Sequence, residues 1–320
     1  MSCFTLSLSV ADITLDHISS RFFAAYGIRL SVLRLDRTDA AISGNKWFKL
    51  RPALEQAQRD GRPVLSFGGA WSNHLHALAY AGGRMGIQTI GVVRGEPEYA
   101  ANAMLSDACR WGMQLHFVTR DEYRRRHDSA YHRLLRDRFG QVRIIPEGGS
   151  NAAAVRSVRD IWQLPALAQA NCDYLVTAVG TGGTLAGLVA GRPSDVRVLG
   201  VPVLKYDHRL LQDIDTLLAS AGVSDETGWS LLPVGHQGGY ARLSPEAART
   251  LMEAESRIGL VLDPVYTLKA LMALIRHVLH AGIERDSHVI LLHTGGLQGR
   301  RGMMSRLTAM APDFVGPLAL

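Results

Sequence analysis

A short apolar run that ends in glycines, with a helical pattern directly behind it, recurs along this chain of 320 residues. Val64-Leu65-Ser66-Phe67 runs into Gly68-Gly69 and a helical stretch over 72–86. Val142-Arg143-Ile144-Ile145 precedes Gly148-Gly149 and a helix over 152–168. Tyr174-Leu175-Val176-Thr177-Ala178-Val179 enters Gly180-Thr181-Gly182-Gly183. Segments 89–93, 115–118, 196–201 and 288–292 read as further strands, with helices over 100–111 and 121–139. Parallel strands need a crossover connection, and a helix supplies it, so the alternation specifies βα units. Glycines at the carboxyl ends of strands place tight loops where open α/β folds hold ligands. The expected fold is therefore α/β, with two domains of open twisted parallel sheet, helices on both faces, and a cleft between them. The turn-rich segment Pro146-Glu147-Gly148-Gly149-Ser150-Asn151 marks a boundary near residue 150.

Composition removes several function classes. Apolar residues make up 47% and charged residues 20%, a globular balance. No apolar run approaches the roughly 18 to 20 residues that span a bilayer. The opening MSCFTLSLSV has no basic segment and no small-residue cleavage pattern, so no signal peptide is expected and a cytoplasmic location is. Cys3, Cys109 and Cys172 are scattered, which suits neither a disulfide framework nor a metal motif, and no metal is expected. The formal charge of +6 suits small anionic ligands. The dense cluster Arg124-Arg125-Arg126 is flanked by Asp121, Glu122 and Asp128 and reads as a solvated helix face, with no nucleic-acid module around it.

Only Lys46, Lys49, Lys205 and Lys269 offer a primary amine side chain. In Ser43-Gly44-Asn45-Lys46-Trp47-Phe48-Lys49-Leu50 a turn delivers Lys46 to the start of an amphipathic helix. A lysine held there inside a cleft can form an imine with a carbonyl, provided burial lowers its pKa; otherwise it is an ordinary surface lysine. Lys49, one turn on, reads as structural or as an anion contact. Gly68-Gly69-Ala70-Trp71-Ser72-Asn73-His74 presents Ser72 as a helix N-cap. The same geometry leaves backbone N–H groups free for a carboxylate or phosphate, with Ser72, Asn73 and His74 beside them. Val179-Gly180-Thr181-Gly182-Gly183-Thr184-Leu185 brings a strand through a glycine turn into a helix, a phosphate cradle. It departs from the dinucleotide fingerprint at Leu185 and has no Walker lysine. Asp263-Pro264-Val265-Tyr266-Thr267-Leu268-Lys269, Leu292-His293-Thr294-Gly295-Gly296 and Tyr240 behind Gly238-Gly239 are strand or helix ends, unspecific when taken singly.

A phosphate cradle, a lysine able to form an imine and the lack of a dinucleotide motif together suit pyridoxal 5′-phosphate. In order and spacing, SGNKWFKL, SFGGAWSNH, IPEGGSN, VGTGGTLAG, DPVYTLK and LLHTGG resemble the fold type II pyridoxal phosphate enzymes. The resemblance is to the 1-aminocyclopropane-1-carboxylate deaminase and D-cysteine desulfhydrase family, and it runs from about Arg34 to Gly299. It implies a tryptophan synthase beta-like architecture. Residues 1–48 and 151–320 would form the large cofactor-binding domain, and 49–150 the small α/β domain. It implies that Lys46 is joined covalently to the cofactor and that Asn73 supports the cofactor's phenolic oxygen. Gly180, Thr181, Gly182, Gly183 and Thr184 would form the phosphate cup, with Thr294 facing the pyridine nitrogen. Ser72, Asn73 and His74, beside Trp71, would receive the substrate, with Tyr240 and Tyr266 near the ring. A small amino-acid substrate and a homodimer are the implied partners, without nucleic acid or membrane.

Two positions depart from the family pattern. Thr267 stands where ring-opening deaminases carry a glutamate near the pyridine nitrogen, and Trp71 where they carry a glutamine. A hydroxyl strengthens the electron sink less than a carboxylate, which favours β-elimination from a substrate such as D-cysteine. Opening of the cyclopropane ring, and a catalytically silent ligand-binding homologue, are the alternatives.

Overall fold

The computed structural model describes residues 12–39, 41–204, 208–223, 227–233, 239 and 241–310. Their strands form two sheets. The larger runs β1-β2-β10-β7-β8-β9, from β1 (Leu15–Ile18), β2 (Arg29–Leu33), β7 (Tyr174–Val179), β8 (Arg197–Pro202), β9 (Trp229–Leu231) and β10 (His288–Leu292). The smaller runs β5-β4-β3-β6, from β3 (Val64–Gly69), β4 (Thr89–Arg94), β5 (Gln114–Val118) and β6 (Arg143–Ile144). Every pairing is parallel except β1 against β2.

Side chains alternate across each sheet and sort the apolar residues into cores. Leu175, Val179, Ile290 and Leu292 face a core that also takes Phe48, Leu50 and Leu54 of the helix Asn45–Asp60. Leu75 and Leu78 of the helix Asn73–Met85 join the same core, so apolar packing is continuous from one sheet to the other. Tyr174, Val176, Val289 and Leu291 point the opposite way, onto Leu268, Leu271 and Leu274 of the helix Thr267–Leu279. Leu65, Phe67, Ile90 and Val92 pack with Tyr123, Tyr131 and Leu135 on the far face of the smaller sheet. β7 and β10, in the middle of the larger sheet, read as near-continuous apolar runs because both faces are covered.

Local chemistry breaks several expected elements. The helix expected over 121–139 divides into Arg120–Arg124, a 3-10 turn at Arg125–His127, and Ser129–Phe139. Asp128 restarts it as an N-cap, its carboxylate accepting from the Ala130 N–H at 2.8 Å. The stretch 152–168 becomes Ala152–Val158, a 3-10 turn at Arg159–Gln163, and Pro165–Ala168, where the proline opens a new helix. The helix expected from 100 begins at Ala103, capped by Asn102. The solvated reading of Arg126 is corrected. Its Nε donates to Glu147 at 2.7 Å and its guanidinium lies 5.0 Å from the centre of the Tyr123 ring. That pairing ties the charged helix to the turn at Glu147–Gly149.

Leu175, fully buried on β7, tests the shared core. Leu175→Ala is expected to destabilise the protein by about 2–5 kcal/mol, measured by chemical denaturation. A loss below about 1 kcal/mol contradicts this packing.

Candidate active site

Gly44 sets the entry to the site. Its φ of 79° and ψ of −146° suit glycine, and a Cβ there would stand 1.9 Å from the Thr294 carbonyl oxygen. The chain before the helix Asn45–Asp60 therefore lies directly on the loop after β10. Lys46, in the first turn, is half-buried and donates from Nζ to Asn45 Oδ1 at 2.9 Å. The Asn45 amide nitrogen donates to Thr184 Oγ1 at 2.6 Å, so one asparagine links the Lys46 amine to the glycine loop. Desolvation lowers the Lys46 amine to about 8, although the Asp263 carboxylate opposes the fall.

The glycine loop follows β7 and opens the helix Gly183–Gly191, with Gly182 as a left-handed N-cap at φ 80°. Helix-start N–H groups turned to a cleft attract an anion. Lys49, 5% exposed, donates to Ser150 Oγ at 2.8 Å and to Thr181 Oγ1 at 3.5 Å. Ser150 and Thr181 hydroxyls lie 2.6 Å apart. A Cβ on Gly183 would sit 2.5 Å from Ser150 Oγ and 3.1 Å from the Lys49 amine. Burial, and then the neighbouring Lys46, hold the Lys49 amine well below its ordinary value. A second amine thus stands at the glycine loop, beside Ser150 from the turn behind the smaller sheet. Lys49 had two readings from sequence, and Ser150 had none. Both gain this setting from partners over 100 positions away.

Ser72 caps the helix Asn73–Met85, its Oγ accepting from the Leu75 N–H at 3.2 Å. Asn73 follows, and its Nδ2 would meet a Cβ on Gly296 at 2.8 Å. Asn73 Oδ1 is buried without a hydrogen-bond partner among the described residues. His74 is placed deeper, 3% exposed, with Nε2 at 2.7 Å from Ser66 Oγ and Nδ1 unpartnered. Burial, then Lys49 and Lys46, push its pKa well below the usual histidine range. It reaches the turn at Gly149. Trp71 is half-buried and lies against Gly302, where a Cβ would meet the indole at 2.6 Å.

Asp263, 2% exposed, collects the third segment. Its carboxylate accepts from the N–H groups of Val265 at 2.9 Å, Tyr266 at 3.0 Å and Thr267 at 2.8 Å. The Thr267 hydroxyl donates to it at 2.9 Å. Thr267 is fully buried, so its hydroxyl closes the start of the helix Thr267–Leu279. Tyr266 lays its ring beside Gly180, 3.5 Å from where a Cβ would stand. Thr294 is buried, two residues past the end of β10, with its carbonyl against Gly44. Tyr240 and Lys205 lie outside the described residues.

These features fit pyridoxal 5′-phosphate. The amine of Lys46 is tuned toward neutrality, a glycine-lined helix start faces a second buried amine, and a buried amide oxygen on Asn73 is unpartnered. Among the described residues no group of three or more histidine, cysteine, aspartate or glutamate side chains could hold a metal ion. No described helix is long and apolar enough to cross a membrane.

Comparison with known proteins reaches the same point. The family model described as pyridoxal-phosphate dependent enzyme matches residues 17–295. The chain belongs to that family. A Thermotoga maritima protein, provisionally named a 1-aminocyclopropane-1-carboxylate deaminase, is 33% identical, covering 90% of this chain and 95% of its own. A Salmonella choleraesuis D-cysteine desulfhydrase is 29% identical over 84% of this chain and 87% of its own. Among solved structures, a 1-aminocyclopropane-1-carboxylate deaminase homologue superposes with a TM-score of 0.81 at 25% identity, covering 93% and 94% of the two chains. A serine racemase from Dictyostelium discoideum shares the fold, with a TM-score of 0.65 at 16% identity over 89% and 92%. The protein is thus a pyridoxal phosphate enzyme of fold type II, like the deaminases and desulfhydrases.

Gly183→Ala places a methyl group between Ser150 and Lys49 and is expected to lower cofactor retention at least about tenfold, by visible absorbance, with far-ultraviolet circular dichroism unchanged. Full retention contradicts a phosphate site there. Burial depresses the Lys46 amine to about 8, and an amine that joins an aldehyde must do so in its neutral form. Cofactor recombination with the stripped protein should therefore quicken about tenfold per pH unit below 8 and level off above it. A rate independent of pH between 6 and 8 contradicts the assignment.

Proposed function

We propose that this enzyme carries out α,β-elimination on a small β-substituted amino acid such as D-cysteine: the α proton and the β-substituent leave (sulfide, from D-cysteine), and addition of water to the remaining enamine gives a 2-keto acid and ammonia. The single observation behind this choice is Thr267. It is fully buried, and its hydroxyl is engaged by Asp263. The chain thus offers no carboxylate at the position where ring-opening relatives carry one, and departure of a β-substituent needs less electron withdrawal than cleavage of a cyclopropane ring. Bound pyridoxal 5′-phosphate supplies the electron sink that makes the α proton acidic. The same reading takes residues 49–150 as the small lobe, and 1–48 with 151–320 as the large lobe of a cytoplasmic homodimer.

The chain's own groups divide the remaining work. The helix start at Ser72 and Asn73 receives the substrate carboxylate, because N–H groups and the positive helix end favour an anion there. Ser72 keeps its hydroxyl proton available, since its oxygen accepts from Leu75. Lys46 would hold the cofactor through its amine, and the same amine would be the base for the α proton. Its depressed pKa leaves a useful fraction neutral near pH 7. Tyr266, beside Gly180, is placed to exchange a proton on the same side. Lys49, Thr181, Gly182, Gly183 and Thr184 would hold the phosphoryl group. Trp71, against Gly302 and next to Ser72 in sequence, would border the substrate at that helix start.

A second reading, opening of the ring of 1-aminocyclopropane-1-carboxylate, is supported by the name of the Thermotoga relative. Release of 2-keto acid from D-cysteine, D-serine and 1-aminocyclopropane-1-carboxylate separates the two. D-Cysteine is expected to have the highest kcat/KM, and Lys46→Ala to lower turnover by about 10² to 10⁴-fold. Preference for the cyclopropane acid would reverse the choice, and undiminished turnover by Lys46→Ala would remove the mechanism.

A further inference from the structure

The turn that leads into the helix Asn73–Met85 is closed by the Ser72 N–H, which donates to the Gly69 carbonyl at 3.1 Å. The Ala70 carbonyl takes no part in closing that turn, and a carbonyl on a half-buried residue needs a donor. Asn102 supplies it. Its Nδ2 donates to the Ala70 carbonyl at 3.0 Å. Its Oδ1 accepts from the N–H groups of Met104 at 2.9 Å and Leu105 at 3.0 Å, and so caps the helix Ala103–Arg110. Two N–H groups at one end and a carbonyl at the other fix which way the amide faces. The helix behind Asn102 is anchored in turn. Leu105 and Ala108 enter the same core as Leu75 and Leu78. Asp107 accepts from Arg110 and, at 2.5 Å, from Arg301 in the turn Leu297–Gly302 beyond β10. Gly302, next to Arg301, lies against the Trp71 indole, and Gly296 and Gly299 lie against Asn73. The turn 69–72 is therefore held from two sides. Asn102 holds it through Ala70, and the segment that Asp107 ties down borders it through Trp71.

We propose that Asn102 is a positioning residue for the substrate carboxylate: its amide sets the turn 69–72 on the helix Ala103–Arg110, and so sets where the donors at Ser72 and Asn73 point. Ser72 does not do this by itself, since its oxygen accepts from Leu75 within the helix that it starts. Hydrogen bonds weaken steeply when the donor is misdirected, so a helix start receives an anion well only if the turn before it is fixed. This role deepens the proposed reading of the Ser72 helix start as the carboxylate site and rests on it, whichever amino acid is turned over.

Substitution separates the cap from the tether. Serine and aspartate both cap helices. In Asn102→Ser the side chain is too short to reach Ala70, and in Asn102→Asp it can only accept, so each variant keeps the cap and loses the tether. Both are expected to melt within a few degrees of wild type. The probe is the reaction of the cofactor-loaded enzyme with aminooxyacetate, a carbonyl reagent that bears a carboxylate, set against hydroxylamine, which bears none. Each reaction is followed by loss of the visible cofactor band. Both variants are expected to slow aminooxyacetate about fivefold or more and to leave hydroxylamine within about twofold of wild type. A role confined to capping moves neither rate. Equal slowing of both reagents, slowing of neither, or slowing by Asn102→Asp without Asn102→Ser, which marks charge repulsion alone, overturns the proposal. If Asn102→Asp fails to fold, Asn102→Ser decides. Ser72→Asp, which keeps a cap but sets a negative charge at the helix start, tests the carboxylate site separately. If it slows aminooxyacetate selectively while the Asn102 variants do not, only the role of Asn102 falls. If it does not discriminate between the reagents, the carboxylate site falls as well.

Discussion

A side chain at position 44 would stand 1.9 Å from the Thr294 carbonyl, so only glycine lets these two backbones meet. That contact joins segments 250 residues apart. It fixes the first turn of the helix Asn45–Asp60 against the loop after β10, and so fixes where the Lys46 amine points. Asn45 then ties that amine to Thr184 in the glycine loop after β7. The helix Asn73–Met85 brings Asn73 to Gly296 from the opposite sheet. The site is therefore assembled from carboxyl ends of strands in both sheets, and the continuous apolar core beneath holds those ends in register.

The electrostatics follow from that assembly. Lys46, Lys49 and His74 share one desolvated region, where Lys46 disfavours the charge of Lys49 and both lysines disfavour that of His74. Such a cluster is costly by itself, and an anion at the glycine loop relieves it. Asp263 is the carboxylate on the other side. Its lone pairs are occupied by the first turn of the helix Thr267–Leu279, which holds the charge in place rather than leaving it to pair freely. One distribution of buried charge thus both attracts an anion to the glycine loop and lowers the Lys46 amine toward neutrality.

Much of this was legible in the sequence, and the rest was hidden for physical reasons. The strands 64–69, 174–179 and 288–292 are apolar on both faces and end in glycine or shortly before it, so they announced themselves. β1, β2 and β9 did not. β1 and β9 are short and half-exposed at sheet edges, and the polar Arg29 and Ser31 interrupt β2. The charged stretch at 120–139 hid a cap at Asp128 and an inward-facing Arg126, because charge alone does not tell a solvated arginine from one paired with Glu147. At the site, Lys46 and the glycine loop carried recognisable local patterns. Ser150 acquires its setting from Lys49, 101 positions away, whereas the donors to Asp263 lie within four residues of it and show only once the helix start at Thr267 is formed. The Thr267 hydroxyl holds Asp263, a bond that the residue type alone does not announce.

The central claim is that one amine is bonded to the cofactor while the glycine loop and Lys49 hold the phosphoryl group. A crystal structure of the cofactor-loaded protein tests it most directly. The account predicts continuous density from Lys46 Nζ into the pyridine ring, with phosphoryl oxygens within hydrogen-bond reach of the 181–184 amides and of the Lys49 amine. Density joined to another lysine, or a phosphoryl group bound away from that loop, would contradict it.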